Sequence, residues 1–279
     1  MSKKTLIYYI AIVSIVTSLC LPCKVLGTNL EDLSGSVAYL RESNGPTTKI
    51  GTGFFVTFQK QYLVTAAHVA KFITSRSILT MRNPGDIPLT VSFSALYPGV
   101  VKLPWHFHLE ADIAVLELPL NSLDSETSQF FDRRFLLMDM LNSEEIAPQR
   151  ERQLVVMGFP LALGTTGRFS PLTVEAKAAS GLLRMKRFDT NTEATFFVLD
   201  KPSIGGYSGA PVFLMPWPYA DSASLKFIDM ASPDAQPKCV GIVHGTLSDD
   251  TGGKLAAIVP SAYVVKMIRD IVKTGSFPK

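Results

Sequence analysis

The sequence predicts an all-β fold, in which two β-domains follow each other and a C-terminal helix ends the chain. Short apolar and β-branched runs recur between turns, as at residues 53–56, 62–64, 113–116 and 154–157. Many short strands at this spacing are typical of β-barrels and β-sandwiches. The end of the chain differs, because apolar residues there recur at helical spacing and predict a helix with one buried face: Val264, Ile268, Ile271 and Val272.

Changes in composition divide residues 28–279 into four parts. Residues 121–150 are polar and acidic around a small apolar patch, which is typical of a connector between domains. We therefore expect an N-terminal β-domain at 28–120, a connector at 121–150, a second β-domain at 151–259 and a helical end at 260–279. Within the second domain, the polar stretch 216–238 predicts a long hairpin insertion.

The first 27 residues have the pattern of a secretory signal. Lys3 and Lys4 precede an apolar run from Leu6 to Leu21, and small Gly27 stands before polar residues. This order of basic start, apolar middle and small residue is typical of a cleaved signal peptide. We expect a protein exported across the inner membrane to the periplasm or the outside. The alternative is an apolar run that stays in the membrane as an anchor.

Charge and cysteine content narrow the function classes. The formal net charge is +3, and the predicted signal holds Lys3, Lys4 and Lys24 but no acid, so the remaining chain is neutral. Neutrality gives no support for a nucleic-acid partner, because phosphate binding needs a basic patch. Of the three cysteines, only Cys239 follows the signal, which excludes an intramolecular disulfide and favours a small buried residue.

One segment of the chain supplies a candidate histidine, and another supplies an acid that could pair with it. His68 ends the apolar run 63–67, which places it rigidly near the surface. Asp112 stands at the mouth of an otherwise apolar strand, where a buried carboxylate is costly unless it is paired or hydrogen-bonded. The N–H of a histidine ring is a suitable partner for it.

A third segment has the residues that acyl transfer by a serine nucleophile requires. Ser208 lies in a turn with Gly205, Gly206 and Gly209. A serine nucleophile needs a base and also backbone N–H groups that face the oxyanion. The glycines before it let the N–H groups of Gly206 and Ser208 point into one oxyanion hole, and Gly209 keeps the adjoining space open.

Taken together, these segments resemble the trypsin and chymotrypsin-like serine proteases, especially their disulfide-free bacterial secreted members. The resemblance covers about residues 34–265 and rests on the segments 65–68, 112–115 and 206–211, in the family's order of His, Asp and Ser. It implies two packed six-stranded β-barrels, with His68 and Asp112 on the first and Ser208 on the second. It also implies peptide hydrolysis, with His68 as general base and acid, Asp112 orienting its ring, Ser208 attacking, and no cofactor.

The resemblance further places a specificity pocket. Its walls are expected on either side of the nucleophile: Lys201, Pro202, Ser203 and Ile204 before it, and Val243, His244, Gly245 and Thr246 after the insertion. The pocket lacks a carboxylate, which disfavours cleavage after Lys or Arg. A neutral pocket for apolar or small residues ranks ahead of one that accepts acids through Lys201, Ser203, His244 and Thr246. Strand alternation turns His244 away from the pocket unless a bulge restores it.

Three other interpretations remain open at this point. The run 206–210 is close to the G-x-S-x-G turn of α/β-hydrolase esterases, although their order of Ser, Asp and His differs. A catalytically silent binding protein on a protease scaffold is the second. The third is a zinc site at His106, His108 and Glu110, but exposed alternation of polar and aromatic residues explains that pattern as well, so no metal is predicted. The expected partner is a polypeptide substrate; the oligomeric state is not predicted.

Overall fold

A computed structural model of the chain describes residues 30–131, 134–216, 236–248, 250 and 252–274. The predicted signal at 1–27 and most of the predicted insertion, residues 217–235, lie outside these ranges. Within the described residues, no helix combines the length and the apolar character needed to cross a membrane.

The first sheet has eight strands and carries the predicted histidine and acid. Its path runs β5-β4-β1-β2-β3-β7-β6, and β8 pairs with β2. Its strands are β1 (Val37–Asn44), β2 (Thr47–Phe58), β3 (Lys60–Thr65), β4 (Ile78–Arg82), β5 (Pro88–Ser92), β6 (His106–Phe107), β7 (Ala114–Glu117) and β8 (Leu136–Leu137). The β2–β3 hairpin is closed by Gln59 in the left-handed conformation (φ 59°). Strand β8 lies inside the segment predicted as a connector, so part of that segment completes the first sheet.

The second sheet has seven strands and carries the predicted nucleophile. Its order is β10-β9-β13-β14-β15-β12-β11. Its strands are β9 (Leu154–Gly158), β10 (Leu172–Ala176), β11 (Leu183–Lys186), β12 (Glu193–Leu199), β13 (Pro211–Leu214), β14 (Lys238–Ser248) and β15 (Lys254–Pro260). In β14 the pairing with β15 shifts register between Val243 and Gly245. An irregularity of this kind changes the side to which the intervening side chain points.

Helices are short except at the end of the chain. They are α1 (Leu30–Ser34), α2 (Ala67–Ala70), α3 (Phe93–Leu96), α4 (Ser125–Gln129) and α5 (Ala262–Thr274), with 3-10 turns at Leu120–Ser122, Met138–Met140 and Pro160–Ala162. The predicted C-terminal helix is α5, which buries Val264 and Ile268 and leaves Ile271 and Val272 half-buried.

The predicted all-β class is confirmed, with eight and seven strands where the resemblance implied six in each barrel. Among the described strand pairs only β2–β8 is parallel. In an α/β-hydrolase the nucleophilic serine lies on a sharp turn from a strand directly into a helix. Here Ser208 leads into strand β13, so the esterase interpretation is wrong.

The main hydrophobic core joins the two barrels. One cluster of buried side chains contains Phe54 and Val115 of the first sheet, Phe213 and Ile242 of the second, and Ile268 of α5. Cys239 is buried in the same cluster, and burial raises the pKa of its thiol to about 12. The two barrels are therefore held face to face by apolar packing, and the predicted site residues lie along this junction.

Candidate active site

His68 and Asp112 meet at the edge of the first barrel. His68 lies on α2, directly after β3, and Asp112 lies in the loop that leads into β7. The Nδ1 atom of His68 is 2.7 Å from Oδ2 of Asp112, and the backbone N–H of His68 donates to Oδ1 over 3.0 Å. The Asp112 side chain is fully buried, whereas 18% of the His68 side chain is exposed. This arrangement leaves the opposite edge of the His68 ring facing the surface.

Two histidines determine the charge state of Asp112. Burial alone raises the pKa of this carboxyl, but hydrogen bonds from His244 and His68 lower it by more. The pKa of Asp112 therefore lies far below its ordinary value, and the group is ionised throughout the neutral range. An ionised carboxylate is a hydrogen-bond acceptor only, so each neutral imidazole that contacts it must present a protonated nitrogen.

Ser208 lies in the turn between β12 and β13, opposite this pair. Its Oγ donates to the carbonyl oxygen of His244 over 3.3 Å. In the described part of the chain, no hydrogen bond joins Oγ to the ring of His68. The structure thus brings His68, Asp112 and Ser208 to one junction, with the serine hydroxyl turned toward β14.

Glycine is required at two places in the turn that carries Ser208. Gly206 has φ 106°, and a Cβ there would lie 2.3 Å from the carbonyl oxygen of Phe159. Gly209 has φ 85°, and a Cβ there would lie 2.1 Å from the carbonyl oxygen of Thr52. Among the described residues, the N–H groups of Gly206 and Ser208 donate to no backbone carbonyl. Unused N–H groups in a bent turn are what an oxyanion hole requires.

Thr52 of the first barrel holds this turn in place. Its backbone N–H donates to the carbonyl oxygen of Ser208 (2.9 Å), and its Oγ1 donates to that of Gly206 (2.7 Å). The same Oγ1 accepts the N–H of Phe159 over 3.1 Å. The adjacent residues 53–56 were identified from the sequence as an apolar strand, but this role of Thr52 was missed.

A cavity beside the turn matches part of the expected specificity pocket. Four of the predicted wall residues line it: Lys201, Pro202, Ser203 and Val243. The remaining lining is mostly apolar: Val156, Val174, Ala176, Leu199, Tyr207 and Ala256. Its volume is about 10 Å³, roughly the space that one water molecule needs, and no carboxylate of a described residue lines it. The cavity is therefore small and offers no counter-charge for a basic side chain.

The other four predicted wall residues do not line this cavity: Ile204, His244, Gly245 and Thr246. His244, which was assigned to the pocket wall, is buried with its Nδ1 2.5 Å from Oδ2 of Asp112. Gly245 faces the ring of Phe188, and Thr246 donates its hydroxyl to the carbonyl oxygen of Ser203. The pairing of β14 with β15 shifts register between Val243 and Gly245. Side chains beyond Val243 therefore do not follow the regular alternation between the two faces of a strand.

The hairpin between β11 and β12 reaches over the site from the second barrel. Arg187, with 4% of its side chain exposed, contacts Oδ1 of Asp112 over 3.2 Å and forms an ion pair with Asp189 at 2.8 Å. The adjacent Phe188 is 60% exposed and its ring lies 5.1 Å from that of His68. Nothing in the sequence marked these residues, because a polar hairpin of this composition is typical of an exposed sheet edge.

Metal-ligating side chains meet only at this junction within the described residues. The candidate ligand atoms of His68, Asp112 and His244 lie within 4.8 Å of one another. Both imidazole nitrogens lie at direct hydrogen-bond distance from one carboxylate oxygen, and a proton fills each gap. At the alternative zinc site, Nδ1 of His108 instead accepts the backbone N–H groups of Glu110 and Ala111.

Comparisons with known proteins agree with this geometry. The family model described as the trypsin-like peptidase domain matches residues 51–216. No curated protein sequence matches the chain.

Solved structures of similar fold are proteases. The Rv3671c protease from M. tuberculosis in its active form has a TM-score of 0.54 at 16% identity, covering 92% of this chain and 88% of that chain. A variant of the HtrA-type protease AlgW with tripeptide has a TM-score of 0.51 at 12% identity, covering 87% and 62%. The serine endoprotease from Yersinia pestis gives 0.50 at 14%, covering 87% and 64%. This chain thus spans less than two thirds of the last two, and these identities establish a shared fold.

Proposed function

Because the chain belongs to the trypsin-like peptidase family, we propose that it is a serine endopeptidase with Ser208 as nucleophile. His68 is then the general base and acid, and Asp112 orients it. The observation that carries the proposal is the ionised, fully buried Asp112 at 2.7 Å from Nδ1 of His68. With its Nδ1 proton held there, the ring keeps its Nε2 lone pair for the serine proton.

The reaction follows from the site as a two-step acyl transfer. The Ser208 hydroxyl turns from the His244 carbonyl toward His68, gives up its proton to Nε2 and attacks the peptide carbonyl carbon. The N–H groups of Gly206 and Ser208 stabilise the oxyanion, and His68 then protonates the leaving amine. Water hydrolyses the resulting ester by the same proton transfers in reverse. An imperfect serine–histidine contact without substrate is common in such sites.

Reaction with a fluorophosphonate tests the nucleophile and separates the two remaining functions. A live endopeptidase is modified at Ser208 and loses activity in proportion, which mass spectrometry of the digested protein detects. A catalytically silent binding protein would fold and leave Ser208 unmodified. Absence of labelling on folded protein, together with absence of casein cleavage, would decide for the binding protein.

The cavity supports cleavage after a small or apolar residue. Its lining is mostly apolar, and two of the four donors considered for an acidic substrate are engaged elsewhere, His244 with Asp112 and Thr246 with Ser203. An arginine entering it would be desolvated without a partner. Profiling with a peptide library is expected to show dominant cleavage after Ala, Val or similar residues. Dominant cleavage after Glu or Arg would contradict this preference.

Export is part of the same proposal. Residues 1–27 have the order of a signal peptide, and a polypeptide substrate outside the cytoplasm suits a peptidase of this kind. N-terminal sequencing of the protein recovered from a secreting host is expected to begin near Thr28. An intact N-terminus on membrane-bound protein would instead support the anchor.

A further inference from the structure

Four hydrogen-bond donors surround the Asp112 carboxylate. Oδ2 receives Nδ1 of His68 (2.7 Å) and Nδ1 of His244 (2.5 Å). Oδ1 receives the backbone N–H of His68 (3.0 Å) and a guanidinium N–H of Arg187 (3.2 Å). Since Asp112 is fully buried, these donors set the direction in which its oxygens point. Two of the four, His244 and Arg187, come from the second barrel.

The surroundings of His244 fix its tautomer. Nδ1 faces an ionised carboxylate and must carry a proton, whereas Nε2 lies 3.4 Å from the backbone N–H of Phe188 and acts as acceptor. A neutral ring with its proton on Nδ1 satisfies both contacts. The ring is 2% exposed and lies stacked on that of Phe188, with centroids 4.1 Å apart. His244 is therefore a fixed donor that is shielded from substrate.

Arg187 is fixed as firmly and balances the local charge. Its guanidinium also donates to Asp189 and to the carbonyl oxygen of Glu110 (2.9 Å). Asp189 contacts Lys71 of the first barrel as well, over 3.2 Å. Two carboxylates and two cations thus alternate at the junction, so Asp112 is held without an excess of buried charge.

We propose that His244 is a positioning residue for the triad: it is a second imidazole on Asp112, and with Arg187 it fixes the carboxylate so that Oδ2 faces His68. This inference rests on the proposed function. In a fully buried site, loss of one such donor lets the carboxylate rotate about its side chain. The ring of His68 is then no longer confined to the tautomer and direction that leave Nε2 facing Ser208.

Steady-state kinetics with two substitutions at one position test the role. His244→Ala removes the donor and is expected to lower kcat by about 10- to 100-fold, by analogy with the loss of residues that orient metal ligands. KM is expected to change by less than about twofold, because the ring does not reach the surface. His244→Asn keeps an N–H near the position of Nδ1 and is expected to retain kcat within about threefold. His106→Ala, a histidine deletion on β6, is the matched control and should leave both constants unchanged.

Either of two kinetic results would overturn the role. One is wild-type kcat in folded His244→Ala. The other is an equal loss in the Ala and Asn variants when thermal unfolding shows both to be as stable as the wild type.

Nuclear magnetic resonance of ¹⁵N-histidine-labelled protein tests the two hydrogen bonds from imidazoles to Asp112 independently of catalytic activity. In a Ser208→Ala background we expect two low-field imidazole protons, each coupled to an Nδ1 nitrogen, from His68 and His244. His244→Asn should remove one and keep the other, whereas Asp112→Asn should move both upfield. A single such proton that His244→Asn leaves in place would overturn the inference. If the wild type cleaves no peptide, the proposed function fails, while this spectrum still decides whether Asp112 holds two imidazoles.

Discussion

Removal of the Ser208 hydroxyl, the smallest group in the site, is expected to lower kcat more than any other single change. Ser208→Ala removes the proposed nucleophile and one weak hydrogen bond, that to the carbonyl oxygen of His244. We expect kcat for casein or peptide cleavage to fall by about 10⁴- to 10⁶-fold with an unchanged melting temperature. Ser94→Ala, an exposed serine on α3, is the matched control. Wild-type cleavage by the Ser208→Ala protein would refute the assignment.

Asp112→Asn keeps the shape of the side chain but places an amide N–H₂ among four donors. We expect turnover near neutral pH to fall by about 10⁴-fold, because His68 is no longer held in the productive tautomer. Near-normal activity of this variant would show that Asp112 is a structural acid and that another group orients His68.

The same carboxylate makes folding depend on pH. Its pKa is lower in the folded than in the unfolded chain, so its stabilising contribution is complete well above pH 4 and is lost as the pH falls below that value. In a Ser208→Ala background, urea unfolding at pH 6 and pH 3.5 should show a smaller acid loss for Asp112→Asn than for its parent. Equal losses would contradict a depressed pKa for Asp112.

Single residues also show what the sequence could and could not predict. His68, Asp112 and Ser208 were found because each carries a local pattern, an apolar strand before it or glycines around it. His244 was assigned to the pocket wall by the resemblance, although strand alternation already turned it away; its contact with Asp112 joins positions 132 residues apart, which no local pattern records. Arg187 was missed because its contact with Asp112 joins positions 75 residues apart, which no local pattern records.

Strand β2 supports the nucleophile turn through Thr52, and this support can be tested. Thr52→Val keeps the shape but leaves the carbonyl oxygen of Gly206 and the N–H of Phe159 without their partner. Leaving buried polar groups unpaired costs about 1–3 kcal/mol of unfolding free energy. We expect that loss in urea unfolding, together with a lower kcat, and recovery of both in Thr52→Ser. A valine variant as stable and active as the wild type would show that the bridge is dispensable.

Strands and helices with a buried apolar face were predicted from the sequence, whereas an exposed strand was not. The apolar runs within β3, β7 and β9 are buried and were identified directly. The helix α5 was identified from its spacing. Strand β11, with a mostly exposed pattern, carries no such signal, although its hairpin delivers Arg187 to the site.

The largest buried cluster spans both barrels, which predicts how the whole molecule unfolds. Each half also has a smaller cluster of its own, around Phe55 and around Val212, but the largest one joins Phe54 and Val115 to Phe213 and Ile242. We expect a single cooperative transition, with coincident melting curves from far-ultraviolet circular dichroism and Trp105 fluorescence in a Trp217→Phe variant. A fluorescence transition at a clearly lower temperature would show that the first barrel unfolds independently.

The bridge from Thr52 to the turn of Ser208 has a consequence for biosynthesis. The ribosome releases the first barrel, with His68 and Asp112, before the turn exists, and the turn reaches its bent shape only when it docks on β2. His244, the other partner of Asp112, is translated later still. A chain that is still being made therefore has a base and an acid but no shaped nucleophile. Under the proposed function, hydrolytic competence thus requires both barrels to be translated and docked on each other.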